Sequence, residues 1–309
     1  MRGRLAPAVL MVALVAAACG PSISGPNQPA APDQVTPDDA VRAAGARAAA
    51  RAFVQAYADA TSGGSAALGR LAGTDRLRAW VHWLGVQNDQ FPGTISGSVE
   101  ADEIGPAAPF AVSSVPGSET ILRQVDVQAT VTFSLRPTTG TAVSETRSLD
   151  GPMRLIFDER DVSWKVLDFT RDGVPFSRSF EIVKHATATL GGTAVTIDSF
   201  VSVPYWEFFL RVTSDAPAGL TRSGAELVNT SGRRVASAND ITSSLQDVSA
   251  GSPVEGIVTF PIQPNAEGLT LRLRLHGLNG VEAFEFVLSG IIHPIPVTTA
   301  SPSPSTSAS

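Results

Sequence analysis

The chain has 309 residues, 43% of them hydrophobic and 17% charged, a composition that folds and leaves room for two ordinary domains. Its 29 acidic residues outnumber 23 basic ones; no basic arm or patch stands out, which argues against a nucleic-acid partner, because phosphate binding draws on clustered positive charge. The single cysteine, Cys19, excludes an internal disulfide framework.

Residues 1–18 read as an export signal: Arg2 and Arg4, a short apolar run from Leu5 to Ala18, and small residues at Ala16, Ala17 and Ala18. As a helix that run rises about 21 Å, short of the roughly 30 Å hydrocarbon core of a bilayer, so a permanent membrane span is the runner-up. The stretch "VAAAC" resembles a bacterial lipobox. The resemblance implies cleavage between Ala18 and Cys19 and diacylglycerol on the Cys19 sulfur, with the membrane as partner and the extracytoplasmic face as location. Ala16 stands where leucine is usual in that family; it also suits the ordinary signal peptidase, so cleavage without lipid is the alternative. Residues 19–36, the modified cysteine followed by a Pro-, Ser-, Gly- and Asn-rich segment, read as a disordered tether.

Thr36, Pro37, Asp38 and Asp39 form a helix-start signal. The apolar stripe that follows is Val41, Gly45, Ala49, Phe53, Ala56, Tyr57 and Ala60, ended by Gly63-Gly64. A second helix is expected from Thr74 to Leu84, capped by Thr74, stopped by Gly85 and burying Leu77, Trp80, Val81 and Leu84. From Val125 to Arg136 the period becomes two, the mark of an antiparallel strand with one buried face. Strands around Met153 to Phe157 and Val162 to Phe169 follow, separated by turns at "RPTTGT" and "DERD".

Two helices followed by a curled antiparallel sheet closing on "WKVLDFTRDG" resemble the nuclear-transport-factor-2-like fold of many actinobacterial extracytoplasmic proteins, over residues 37–178. That resemblance implies a cone that holds a ligand, an active site or nothing, with Phe53, Tyr57 and Trp80 as candidate lining.

Residues 179–293 are strand-like throughout, with turn signals every several residues. "WEFFLRV" places Trp206, Phe208, Leu210 and Val212 on one side, and Phe209 opposite. "LTLRLRLH" turns Leu269, Leu271, Leu273 and Leu275 inward and Arg272, Arg274 and His276 outward, before Asn279-Gly280 and the returning Phe284, Phe286 and Leu288. About seven short strands in a hundred residues predict an immunoglobulin-like sandwich. The segment from "TAVTIDSFVSVPYWEFFLRVTS" to "LTLRLRL" resembles an extracellular β-sandwich family of unknown function, often found in lipoproteins and sometimes called immunoprotective. Residues 294–309 read as a disordered Ser/Thr/Pro tail. The expected fold class is therefore α+β: a cone-like helix-plus-antiparallel-sheet domain and then an all-β immunoglobulin-like sandwich.

The chemistry-bearing motifs are sparse. His82, His185, His276 and His293 show no metal-ligand spacing, no serine sits in a nucleophile elbow, and no cofactor motif occurs; Gly191-Gly192 and Gly63-Gly64 read as turns. The enzymatic alternative is proton transfer in the cone by Tyr57, His82 or Asp168. Against it, His82 lies about 100° around the helix from Val81, off the buried stripe, and Asp168 can simply pair at the surface with Arg171 or Lys165. The outward row Arg272, Arg274, His276 could hold an anion or a lipid headgroup, or be a solvated strand face. The expectation is a non-enzymatic, membrane-anchored binding or scaffolding protein of the cell envelope, with no catalytic residue, metal or cofactor, taking a protein or a small hydrophobic ligand. A passive spacer is the remaining alternative.

Overall fold

The computed structural model describes residues 37–60, 65–110, 121–184, 186–238, 244–261, 268–277 and 279–293. The leader, Cys19, the tether, Gly63-Gly64, His185 and the closing tail lie outside them. Helices and antiparallel sheets give an α+β fold.

Helix α1, Pro37–Asp59, starts with Pro37 and two acidic residues in its first turn, where the helix dipole favours them. It buries Ala46, Ala50, Phe53, Val54 and Tyr57. Val41, placed on the buried stripe by its spacing, is instead 73% exposed. Spacing defines a face, but only a covering neighbour buries it, and among the described residues none covers Val41. At Gly45 a neighbour does reach: a Cβ there would lie 2.7 Å from the Trp164 Nε1, so the bare backbone admits the indole.

Helix α2, Ser65–Leu71, was not signalled by the sequence, and α3 spans Asp75–Gln90. Thr74 caps α3 as expected, its Oγ1 accepting from the Leu77 N–H at 3.2 Å. Gly85 does not stop it. A helical glycine costs only about 1 kcal/mol, and the contacts made on either side offset that: Trp83 is buried, and Asn88 donates to the Ala60 carbonyl at 2.6 Å.

Strands β1 (Gly93–Pro109), β2 (Leu122–Pro137), β3 (Val143–Asp158) and β4 (Ser163–Asp168) form a sheet in the order β1-β2-β3-β4. β1 is an edge strand whose glycines and prolines blur its period. One of them is required by packing: a Cβ on Gly97 would collide with the Ala58 carbonyl at the end of α1. On β2, Val125, Val127, Ala129, Val131 and Phe133 are buried, as the alternation predicts.

A small hairpin, β5 (Thr170–Arg171) and β6 (Val174–Pro175), and a one-turn helix α4 (Phe176–Ser179) lead to the second half. There β7 (Phe180–Ile182), β8 (Thr187–Leu190), β9 (Thr193–Val201), β10 (Trp206–Ser214) and β13 (Val254–Phe260) form one antiparallel sheet, ordered β13-β10-β9-β7 with β8 also on β9. Strands β11 (Gly219–Val228), β12 (Arg234–Ala236), β14 (Thr270–Gly277) and β15 (Gly280–Val287) form the other, ordered β12-β11-β14-β15. Trp206, Phe208, Leu210 and Val212 meet Leu271, Leu273, Leu275, Phe284 and Phe286 in one core between the sheets.

The other face of β10 belongs to a different core. Phe209, with Phe180, Val201 and Ile257, packs into the cluster built around Phe53, Tyr57, Trp80 and Phe169 of the first half. The Trp83 and Phe209 rings stack at 4.9 Å, and Phe180 lies between Phe176 and Phe209. Period-two alternation on one strand thus supplies two cores. Among the described residues no helix is long and apolar enough to cross a membrane.

Candidate functional site: a cavity at the seam

A cavity of about 100 Å³ lies at the seam, where the open end of the helix-and-sheet half meets β9 and β10. Its apolar wall comes from Tyr57, Trp80, Phe133 and Phe209. Tyr57 sits 5.4 Å from both Trp80 and Phe133, ring to ring. Deeper in, Phe53 packs on Phe169 at 5.0 Å and Trp80 on Phe176 at 4.9 Å, so aromatic rings fill the interior and the cavity is confined to the mouth. Of the three residues proposed to line a cone, Tyr57 and Trp80 border this cavity. Phe53 is fully buried beneath it.

The polar wall is made by residues whose positions follow from strand alternation. The inward face of β3 reads Met153, Leu155 and Leu149 at one end and Arg147 and Glu145 at the other, opposite Val131 and Phe133 of β2. The inward row therefore turns from apolar to charged as it reaches the mouth. Arg147 pairs with Glu145, and its Nε lies 3.8 Å from the Asp172 carboxylate. From the opposite side, β10 contributes Glu207, one position from the buried Trp206 and Phe208 and hence on the cavity face.

Arg171 is set by the β5-β6 hairpin. Asp172-Gly173 takes positive φ at both positions, 51° and 76°, the pattern that a two-residue type I′ turn requires. The turn is tied to β3 by Ser148: the Asp172 N–H donates to its carbonyl at 2.9 Å, and its N–H donates to the Asp172 Oδ1 at 3.0 Å. Arg171 is thereby held with only 7% of its surface exposed. Its Nη2 donates to the Val203 carbonyl at 2.8 Å, the guanidinium lies 5.9 Å from the centre of the Trp80 ring, and its charge acts on the Tyr57 hydroxyl. Its Nε has no hydrogen-bond partner, and no carboxylate lies within 4.0 Å of it among the described residues.

The electrostatics follow from this enclosure. Burial raises the Tyr57 pKa, opposed by Arg171 and Arg147. The phenol therefore stays protonated, which suits hydrogen bonding and disfavours a role as base. Burial likewise raises the Glu207 pKa, against the pull of Arg171 and Arg147.

The other proton-transfer candidates lie elsewhere. His82 is half exposed on α3, its Nε2 2.8 Å from the Glu255 Oε2 of β13. There it joins a seam cluster in which Arg211 reaches Asp198 at 2.8 Å and Glu255 at 3.7 Å. Burial raises the Asp198 pKa, with Arg211 opposing. Asp168 neither lines the cavity nor pairs with Arg171 or Lys165. It accepts from the Ser177 hydroxyl at 2.7 Å and the Ser177 N–H at 2.9 Å, fastening the start of α4 to the end of β4, while Lys165 pairs with Asp161. The structure thus does not bring Tyr57, His82 and Asp168 together.

The arginine row of β14 also has partners. Arg274 reaches the buried Glu226 at 2.7 Å, and Arg272 bridges Glu226 at 3.4 Å and Glu285 at 2.6 Å; His276 is exposed and has no such pair among the described residues. Among the described residues there is no group of three or more His, Cys, Asp or Glu that could hold a metal ion. Gly191-Gly192 turns β8 into β9, as the sequence predicts.

Sequence reasoning missed Glu145, Arg147, Arg171 and Glu207. A signal existed for Glu207, an acid inside the aromatic run "YWEFFL". None existed for the arginines, which meet Tyr57, Trp80 and Glu207 only across the fold. No family model matches the sequence, and no curated protein matches it.

Proposed function

We propose that this chain is an exported, lipid-anchored protein of the cell envelope that binds a small molecule in the seam cavity, without catalysing its conversion. In this reading, a nuclear-transport-factor-2-like cone is closed at its mouth by an immunoglobulin-like sandwich, and the two halves share the site. The carrying observation is Arg171, a buried guanidinium that lines a cavity of about 100 Å³ and has no carboxylate within 4.0 Å among the described residues. A buried charge is normally paired, and one without a near counter-charge beside a cavity supports a ligand there. The anchor reading rests on the "VAAAC" stretch and the tether after it. The α+β architecture, with helices against one antiparallel sheet and two further sheets sharing a core, supports the domain reading.

The test is native mass spectrometry of protein purified from its own envelope under mild conditions. A bound small molecule released on unfolding is expected, and it should be missing from a Val203→Trp variant, whose larger side chain fills the cavity. An identical mass for native and unfolded wild-type protein, together with no binding of added small apolar probes, would remove the binding reading.

A further inference from the structure

Two oppositely charged side chains face the seam cavity without touching each other. Arg171 and Glu207 both line it and act on each other electrostatically, yet no ion pair within 4.0 Å joins them. Arg147, the other cation at the mouth, is already engaged by Glu145 and faces Asp172. The Asp198–Arg211–Glu255 cluster is a separate set of pairs. Among the described residues, Arg171 and Glu207 are thus the charged groups lining the cavity that no ion pair within 4.0 Å engages.

We infer that the cavity takes a small zwitterion, an α-amino acid with a short apolar side chain, its carboxylate on Arg171 and its ammonium on Glu207. The inference rests on the seam cavity being a ligand site and goes beyond it by naming the ligand class. An anion alone would complete Arg171 but approach Glu207 with like charge; a cation alone would do the reverse. A zwitterion satisfies both at once, and charge-assisted hydrogen bonds of this kind are the strong ones. The aromatic wall of Tyr57, Trp80 and Phe133 suits an apolar side chain. The volume, about 100 Å³ against roughly 150 Å³ for an engineered cavity that takes benzene, keeps the side chain of the ligand short. Burial makes the Glu207 carboxylate costly to ionise, and an ammonium against it offsets that cost.

Three probes separate the contributions because they share the isobutyl unit: valine, isovalerate without the ammonium, and isobutylamine without the carboxylate. Binding to the full chain is measured at pH 7 by titration calorimetry. Valine is expected to bind about tenfold or more tightly than either single-charge probe. Arg171→Met should erase the advantage of valine over isobutylamine, and Glu207→Gln its advantage over isovalerate. Because Arg171 is buried, each variant is checked for an unchanged circular dichroism spectrum. Should Arg171→Met fail to fold, Glu207→Gln and the wild-type ranking still decide. Isovalerate or isobutylamine equal to or tighter than valine overturns the zwitterion. A fourth probe, benzene, followed by NMR at the Tyr57 and Trp80 rings, separates the two levels. Benzene binding with no binding of valine overturns the ligand class and leaves the cavity as a site; if benzene does not bind either, the site itself falls.

Discussion

The Trp83 indole lies on the Phe209 ring with centroids 4.9 Å apart and 19° between planes, one residue from α3 and the other from β10. This stack joins the two halves through apolar surface rather than through a flexible linker. Phe209→Ala leaves a void between the halves, and buried Phe→Ala changes cost about 3–5 kcal/mol. Calorimetry of the variant is expected to show a lower melting temperature and two separable transitions where wild type shows one. A single transition shifted by less than a degree would mean that the stack contributes little.

Gly97 lies where the end of α1 crosses β1, and any Cβ there meets the Ala58 carbonyl. Gly97→Ala should therefore destabilise by about 1–3 kcal/mol, as overpacking does. The urea midpoint is expected to fall with an unchanged slope. A neutral result would mean that helix and strand separate easily at that point.

Glu207 carries a pH signature. Its pKa is raised in the folded chain, so between the unfolded and folded values the folded chain holds a proton that the unfolded chain releases. Stability then falls as pH rises through that window. Asp198, also raised by burial, acts with the same sign. Glu207→Gln should raise the melting temperature at pH 7 and leave it nearly unchanged near pH 4, where the native carboxyl is protonated. Equal shifts at both pH values would point to packing rather than charge.

His82 and Glu255 make a half-exposed pair across the seam. Exposed pairs contribute at most about 1 kcal/mol, so His82→Ala should change the urea stability by less than that and leave probe binding intact. A loss of binding would assign His82 a role at a distance from the cavity.

Cys19→Ala tests the anchor. With lipid on the sulfur, the wild-type protein should partition into detergent and sediment with membranes, and the variant should not. A variant that still sediments with membranes would argue for a retained span or a protein partner instead.

Much of the core was legible because period two and period three-to-four report burial directly: Trp206, Phe208, Leu210 and Val212 on β10, and Leu77, Trp80 and Val81 on α3, are buried where spacing puts them. The angular position of His82 placed it off the buried stripe, and it is exposed; its partner, 173 residues away, left no local trace. Helix α2 and strand β1 were missed because one is two turns long and the other is interrupted by glycine and proline. The cavity was illegible for a related reason. Arg147, Arg171 and Glu207 come from three strands, and only the closure of one half on the other makes their spacing meaningful.

The two-faced strand β10 divides its labour by parity. Even positions 206, 208, 210 and 212 belong to the core between the two sheets, while 207, 209 and 211 look toward the seam. A substitution at 207 changes the lining of the seam cavity without entering the core between the sheets, and a repacking at 208 changes that core without reaching the cavity lining. One strand thus gives the molecule two nearly independent dials, the shape of the cavity on one side and the robustness of the sandwiched core on the other.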